Sequence, residues 1–209
     1  MSSWEETFRK VGALWVHNGN PEYPHALLAS GNHSSGFFNG SRVIENPALL
    51  EEAVRSLAEL WRIGYGFGPH IERVVGPAFG AITLAHELGR ELGVKTGFTE
   101  PVEEWVEKRM LLRRFTMKPG EVVLVVEDVI TTGGTTQETI AELETHGAVV
   151  ASAICVLLNR SGKENLDGRH IIALVNHPMP VWTTTECPLC EQGSMPIRPK
   201  EAWGALSAN

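Results

Sequence analysis

Glu127 and Asp128 stand together at the end of an apolar run, and a Thr/Gly turn follows them. The string reads Glu121-Val-Val-Leu-Val-Val-Glu127-Asp128-Val-Ile-Thr131-Thr132-Gly133-Gly134-Thr135-Thr136. Gly133 and Gly134 allow a tight turn and bring bare N–H groups close to a ligand. A helix beginning behind them would add about half a positive charge at its N-terminus, which makes the turn a phosphate cradle. Carboxylates cannot assist a phosphate directly, but they suit sugar hydroxyls, a metal ion or a developing positive charge. A phosphate cradle beside an acid pair that can hold a diol describes a ribose 5-phosphate site. Asp128-x-x-Thr131-x-Gly133 alone fits an exposed turn equally well, and the whole string carries the reading. The chain lacks both G-x-x-x-x-G-K-[ST] and G-x-G-x-x-G, so nucleotide triphosphatase and dinucleotide readings drop out.

These residues need a frame. The short apolar run before Glu127 suits a strand buried on both faces of a parallel sheet. Thr135 and Glu138 have capping-box spacing, which predicts a helix with Thr135 as N-cap, continuing through Ile140 and Leu143 to Gly147. Glu72 to Ala81 reads as a strand running into a glycine turn at Gly76-Pro77-Ala78-Phe79-Gly80, with a helix over 81–92. Val94–Phe98, 149–158 and His170–Val175 read as further strands. Upstream, 3–16 reads as an amphipathic helix and 47–61 as the clearest helix, opened by Pro47. Phe37-Phe38 reads as a short strand or platform among Gly/Ser loops, and Gly64 to Pro69 as a linker. Residues 100–118 are charged and without a period. Alternating strands and helices imply a parallel α/β sheet. Right-handed crossovers would put the turns at 76–81 and 128–135 on one sheet edge, where such sheets bind ligands. Two phosphate-sized turns facing one crevice suit 5-phosphoribosyl 1-pyrophosphate (PRPP).

Composition narrows the classes further. A chain of 209 residues, 43% hydrophobic and 21% charged, can bury the core of one globular domain. No apolar run approaches a membrane span, and the acidic start is not a signal peptide. A net charge of −7 argues against nonspecific nucleic-acid binding. Three cysteines make no disulfide framework, which points to a reducing cytoplasm.

The string from Glu127 to Thr136 resembles the PRPP-binding motif of type I phosphoribosyltransferases. With Leu28-Ala-Ser-Gly31, Phe37-Phe38-Asn39, Gly76-Pro-Ala-Phe-Gly80 and Asn159-Arg160, the likeness extends over about residues 25–165 to the orotate phosphoribosyltransferases. The resemblance implies an α/β type I phosphoribosyltransferase fold: a Rossmann-like parallel sheet flanked by helices, with a core of about 46–164. A small hood would come from about 1–45 and 165–209. It implies transfer of phosphoribose from PRPP to orotate, giving orotidine 5′-monophosphate and pyrophosphate, with Mg²⁺, in a homodimer.

Carried over residue by residue, Thr131, Thr132, Gly133, Gly134 and Thr135 would hold the 5-phosphate, and Glu127 and Asp128 the ribose hydroxyls. Ala78, Phe79 and Gly80 would face the pyrophosphate. Phe37, Phe38, Thr131 and Arg160 would meet orotate, an anion with a flat ring that suits an aromatic face and an arginine. As residues alone, Phe37-Phe38 could equally be core and Arg160 a solvated loop arginine. Two departures stand out: Ala29 replaces the usual lysine, and the lysines and His-Gly of the usual catalytic loop are missing from 100–118. Lys108, Arg109, Arg113 and Arg114 are the cations expected to neutralise pyrophosphate, across a dimer interface or within one chain, unless they form only a solvated hairpin. Cys187-x-x-Cys190 is half of a zinc site, with His177 the nearest helper, or a reduced structural pair. A phosphoribosyltransferase for another base and a non-catalytic PRPP-binding regulator stay open as alternatives.

Overall fold

The computed structural model describes residues 3–66, 70–103, 108–199, 201 and 203. It divides into two compact units, Met1–Arg42 with Pro178–Asn209, and Val43–His177. The chain opens with α1 (Trp4–Lys10), β1 (Leu14–Val16), β2 (His25–Leu27), β3 (His33–Ser34) and β4 (Gly36–Phe38), then a short α2 (Ser41–Ile44). The larger unit continues with α3 (Pro47–Tyr65), β5 (Arg73–Pro77), α4 (Ile82–Leu92), β6 (Lys95–Glu103) and β7 (Lys108–Leu111). It is completed by β8 (Val122–Ile130), α5 (Gly134–Thr145), β9 (Val149–Asn159), β10 (Asn165–Leu166) and β11 (Arg169–Asn176). The tail carries β12 (Val181–Trp182), α6 (Pro188–Glu191) and β13 (Pro196–Ile197).

Among the described residues the larger unit holds one sheet in the order β10-β11-β9-β8-β5-β6-β7. From β11 to β6 the strands run parallel, and β10 and β7 close the edges antiparallel. The centre is apolar on both faces, as a parallel sheet covered by helices requires. Val123, Val125, Ile154 and Val156 cluster with Ile140 and Leu143 of α5. Their alternating neighbours Leu124, Val126 and Cys155 point to the other face and are fully buried. The helix α3 starts at Pro47 with the Asn46 side chain accepting the Leu49 N–H, and it buries Leu50, Ala53, Val54, Leu57 and Trp61.

The smaller unit contains a four-stranded sheet, β12-β3-β2-β13, and the pair β1-β4. The expected helix over 3–16 is cut short. A capping box from Ser3 and Glu6 starts it, but Gly12 turns the chain at φ 71°. Trp15 then pairs with Phe37 as strand, where both Leu14 and Trp15 are buried. Ala29 lies exposed in the turn between β2 and β3. Burial, with His33 and His17 nearby, lowers the pKa of His25 to about 4, so its ring is neutral at pH 7.

Two further differences from expectation have physical causes. Asn165–Asn176 belongs to the large sheet rather than the hood, because β11 pairs in parallel with β9 and buries Ile171 and Val175. Part of 100–118 is a hairpin: Glu100 lies opposite Leu111, and Met110 and Leu112 are buried. Residues 104–107 of the charged stretch and 67–69 of the expected linker lie outside the described residues.

At the start of β5 and β8 a buried ion pair joins the strands. The Arg73 Nε donates to Glu121 Oε1 at 2.9 Å, its other nitrogens donate to the Thr96 and Thr116 carbonyls, and Glu121 Oε2 accepts from the Lys118 N–H. Glu121→Ala strands that guanidinium in the core and is expected to cost about 3–5 kcal/mol, read as a lower urea midpoint. A shift below about 1 kcal/mol would mean that the pair is solvated instead.

Candidate functional site

The strand β8 delivers Glu127 and Asp128 to the carboxyl edge of the sheet, and the Thr131–Gly133 turn leads directly into α5. Gly133 is the N-cap at φ 91°, with no side-chain cap, and its carbonyl accepts the Gln137 N–H at 2.9 Å. The helix therefore starts before Thr135, which is exposed, and the expected Thr135–Glu138 capping box does not form. The left-handed glycine makes the turn by itself. A Cβ on Gly133 would also lie 2.5 Å from Leu166 Cδ1, so a side chain at 133 would be strained in the backbone and would push Leu166 aside. Thr131 and Thr132 are exposed and Gly134 half-buried, leaving an open turn at an uncapped helix end. Such an end offers donors and a favourable dipole to an anion.

β5 is the direct parallel neighbour of β8, so its glycine turn arrives at the same edge. The Ala78 N–H donates to the Thr99 carbonyl at 2.7 Å, and Phe79 is exposed. A Cβ on Gly80 would lie 2.8 Å from the Asp128 carboxyl, so the two turns touch through a glycine.

The two acids differ in surroundings. Asp128 is half-buried, and its Oδ1 accepts the Val129 N–H at 2.9 Å. Glu127 is buried, with Oε1 accepting the Asp128 N–H at 3.1 Å and Oε2 in a long contact from the Thr136 hydroxyl at 3.5 Å. Burial, and then the charge and hydrogen bonding of Asp128, push the Glu127 carboxyl well above the usual range. One acid is held toward its neutral form while its neighbour meets solvent.

The model of the phosphoribosyl transferase domain matches residues 41–184. An orotate phosphoribosyltransferase of Acidithiobacillus ferrooxidans is 38% identical over 195 residues, covering 92% of this chain and 96% of that protein. The chain belongs to the phosphoribosyltransferase family. Its fold is that of solved family members. The crystal structure of orotate phosphoribosyltransferase from Aeropyrum pernix superposes with TM-score 0.63 at 24% identity, over 82% of this chain and 92% of that one. That of adenine phosphoribosyltransferase from Rhodothermus marinus gives 0.54 at 23% identity, over 67% and 86%. Among the described residues no helix is long and apolar enough to cross a membrane.

Arg160 follows β9 on the same edge, its N–H donating to the Ile130 carbonyl at 3.0 Å. It is buried rather than solvated, and burial lowers its pKa to about 10, so it stays charged at neutral pH. Asn159 holds the loop behind it, bonding Lys163 O, Asn176 Oδ1 and Ser161. Of the cations expected to neutralise pyrophosphate, Arg109 and Arg113 are exposed, whereas Arg114 is bound to Glu100 at 2.9 Å. The side chain of Lys108 falls outside the described residues. In the smaller unit Phe38 is core, packed on Phe8 at 5.2 Å, and Phe37 is half-buried beside Trp203 at 6.1 Å.

Sequence reasoning missed Thr136, whose place under Glu127 follows once the helix starts at Gly134. It also missed Glu142, which accepts the Leu112 N–H at 2.8 Å and ties the hairpin to α5; its i+4 partner His146 was the only local signal.

Because folding raises the Glu127 pKa, ionising it opposes folding. The cost is nil below the ordinary glutamate pKa, grows as pH rises toward the folded value, and is constant above it. Glu127→Gln is therefore expected to melt higher than wild type at pH 8, each 1 kcal/mol appearing as about 2–4 °C in a chain of this size. The difference should vanish near pH 4. Equal melting at both pH values would mean that Glu127 ionises freely.

Proposed function

We propose that this chain transfers the 5-phosphoribosyl group of PRPP to orotate, releasing pyrophosphate and forming orotidine 5′-monophosphate. The observation that carries the reading is the contact of Gly80 with the Asp128 carboxyl, which unites two phosphate-sized turns around an acid pair. The 5-phosphate would lie in the Thr131–Thr135 turn against the open end of α5, and the ribose hydroxyls on Glu127 and Asp128. Pyrophosphate would leave beside Ala78, Phe79 and Gly80.

In the reaction the bond from the ribose carbon to the pyrophosphate oxygen breaks, a bond to a ring nitrogen of orotate forms, and the proton of that nitrogen is released to water or to the leaving pyrophosphate. Positive charge develops on the sugar, where ionised Asp128 is the stabilising neighbour, and negative charge on the leaving group. Arg109, Arg113 and Lys108 are cations suited to that group, and Arg114 would first have to leave Glu100. Mg²⁺ fits this edge. It is an oxygen-seeking ion that binds through one or two carboxylates and substrate phosphates, and Asp128 is a half-exposed carboxylate against the Gly80 turn. It would supply charge neutralisation on the pyrophosphate.

The fold is shared with an adenine phosphoribosyltransferase, so base choice must rest on residues. Arg160, buried and charged at the same edge, favours an anionic base. Phe37, half-buried beside Trp203, offers the better aromatic face, because Phe38 is buried against Phe8. The three free cysteines fit a reducing cytoplasm, and the family relationship supports a homodimer.

The test is loss of orotate absorbance with PRPP and Mg²⁺. Turnover is expected to need all three, to fall about 100-fold or more in Asp128→Asn, and to show about a tenfold higher KM for orotate in Arg160→Gln. Turnover with a different base and none with orotate would overturn the substrate assignment. PRPP binding without turnover on any base would favour a regulator.

A further inference from the structure

The tail of the chain folds back over β2 and β3. β12 pairs with β3 and β13 with β2, so the segment between them is carried across these two strands. Leu27 lies opposite His33, which places His25 and His33 diagonally on one face of the ladder. Cys187 and Cys190, at the start and within the single turn of α6, are brought to the same face. Ligand atoms of His25, His33, Cys187 and Cys190 all lie within 4.8 Å of one another.

The individual separations are those of a coordination polyhedron. His25 Nε2 is 3.0 Å from His33 Nδ1, 3.5 Å from Cys187 Sγ and 3.6 Å from Cys190 Sγ, and Cys190 Sγ is 3.3 Å from His33 Nδ1. A tetrahedral zinc with ordinary Zn–N and Zn–S bonds has edges of about 3.3 Å between nitrogens and about 3.6 Å between nitrogen and sulfur. His25, His33 and Cys187 are buried, and both cysteines are free.

Hydrogen bonding sets the tautomer. The Ser194 hydroxyl has one hydrogen, and the Tyr23 carbonyl, 2.7 Å away, can only accept it. Ser194 Oγ must then accept from His25 Nδ1–H at 2.8 Å, which leaves the Nε2 lone pair facing the other three groups. An outer-shell bond of this kind orients a metal-bound histidine.

We propose that His25, His33, Cys187 and Cys190 bind one structural zinc ion. His177, the helper suggested by sequence, is not in the group; it follows β11, where its backbone N–H donates to the Asn159 carbonyl. Binding displaces the proton of each thiol, since the thiolate is the ligand. Two thiolates and Zn²⁺ sum to zero charge, which suits a buried site. Four protein ligands close the coordination sphere, so the ion staples the tail to β2 and β3 and takes no part in phosphoribosyl transfer.

The test is metal analysis of the full chain, purified without a histidine tag. About one zinc per chain is expected to survive gel filtration in a weak chelator. It should be lost in Cys190→Ser and retained in Cys155→Ser, whose thiol belongs to β9 and not to the group. Should Cys190→Ser fail to fold, Ser194→Ala and cobalt decide. Ser194→Ala is expected to bind zinc about 10–100-fold more weakly. Co²⁺ added to zinc-stripped wild type should give intense visible bands with a thiolate-to-metal charge-transfer band. Wild type with less than about a tenth of an equivalent of zinc and only a weak six-coordinate cobalt spectrum would overturn the proposal. So would a full equivalent of zinc that persists in folded Cys190→Ser.

Discussion

Everything at the candidate site depends on β5 and β8 lying side by side and running the same way. Parallel neighbours end at one edge, so two turns distant in sequence must share a small volume. They can do so because position 80 has no side chain. The missing Cβ of Gly80 is the space that the Asp128 carboxyl fills. The glycine of one turn and the acid of the other are thus a single steric feature, and neither has a clear purpose without its partner.

The same two strands carry opposite electrostatic solutions at their ends. At the amino edge, Arg73 and Glu121 are buried but mutually bonded, with the remaining polar atoms met by backbone carbonyls and an N–H. At the carboxyl edge, Glu127 is buried beside a second acid, and the groups it bonds, the Asp128 N–H and the Thr136 hydroxyl, are uncharged. Burying a carboxylate without compensation opposes folding, and the sheet between the two ends is what tolerates it. Leu124, Val125, Val126, Ile154, Cys155 and Val156 are fully buried around that strand. The apolar core and the ion pair hold β8 in place, so the strain can be confined to the edge where it would act on a ligand.

Much of this was legible because it is local. The apolar run into Glu127-Asp128, the glycines at 76, 80, 133 and 134, and the Pro47 helix each announce their conformation within a few residues. The capping-box reading of Thr135 failed because the rule weighs side-chain caps, whereas a left-handed glycine starts this helix unaided. The 3–16 helix overran its true end at Lys10 because apolar residues spaced for a helix also serve a short strand, and the deciding partner, Phe37, lies far along the chain. Glu121, Thr136 and Glu142 were invisible for the same reason. Their partners are defined by sheet register, and no motif in one sequence encodes it.

The smaller unit shows this limit most plainly. Its tail meets β2 and β3 through strands of two residues each, which supply few ladder bonds. Position must come instead from side chains that cross long sequence gaps: Ser34 Oγ to the Pro180 carbonyl, Ser194 Oγ to the Tyr23 carbonyl, and His25 to Ser194. A pair of histidines eight residues apart and a Cys-x-x-Cys far downstream look unrelated until the register of β2 on β3 turns both rings to one face. Short strands cannot specify a tail by hydrogen bonds alone. A set of directional contacts, converging on four ligand atoms within 4.8 Å of one another, can.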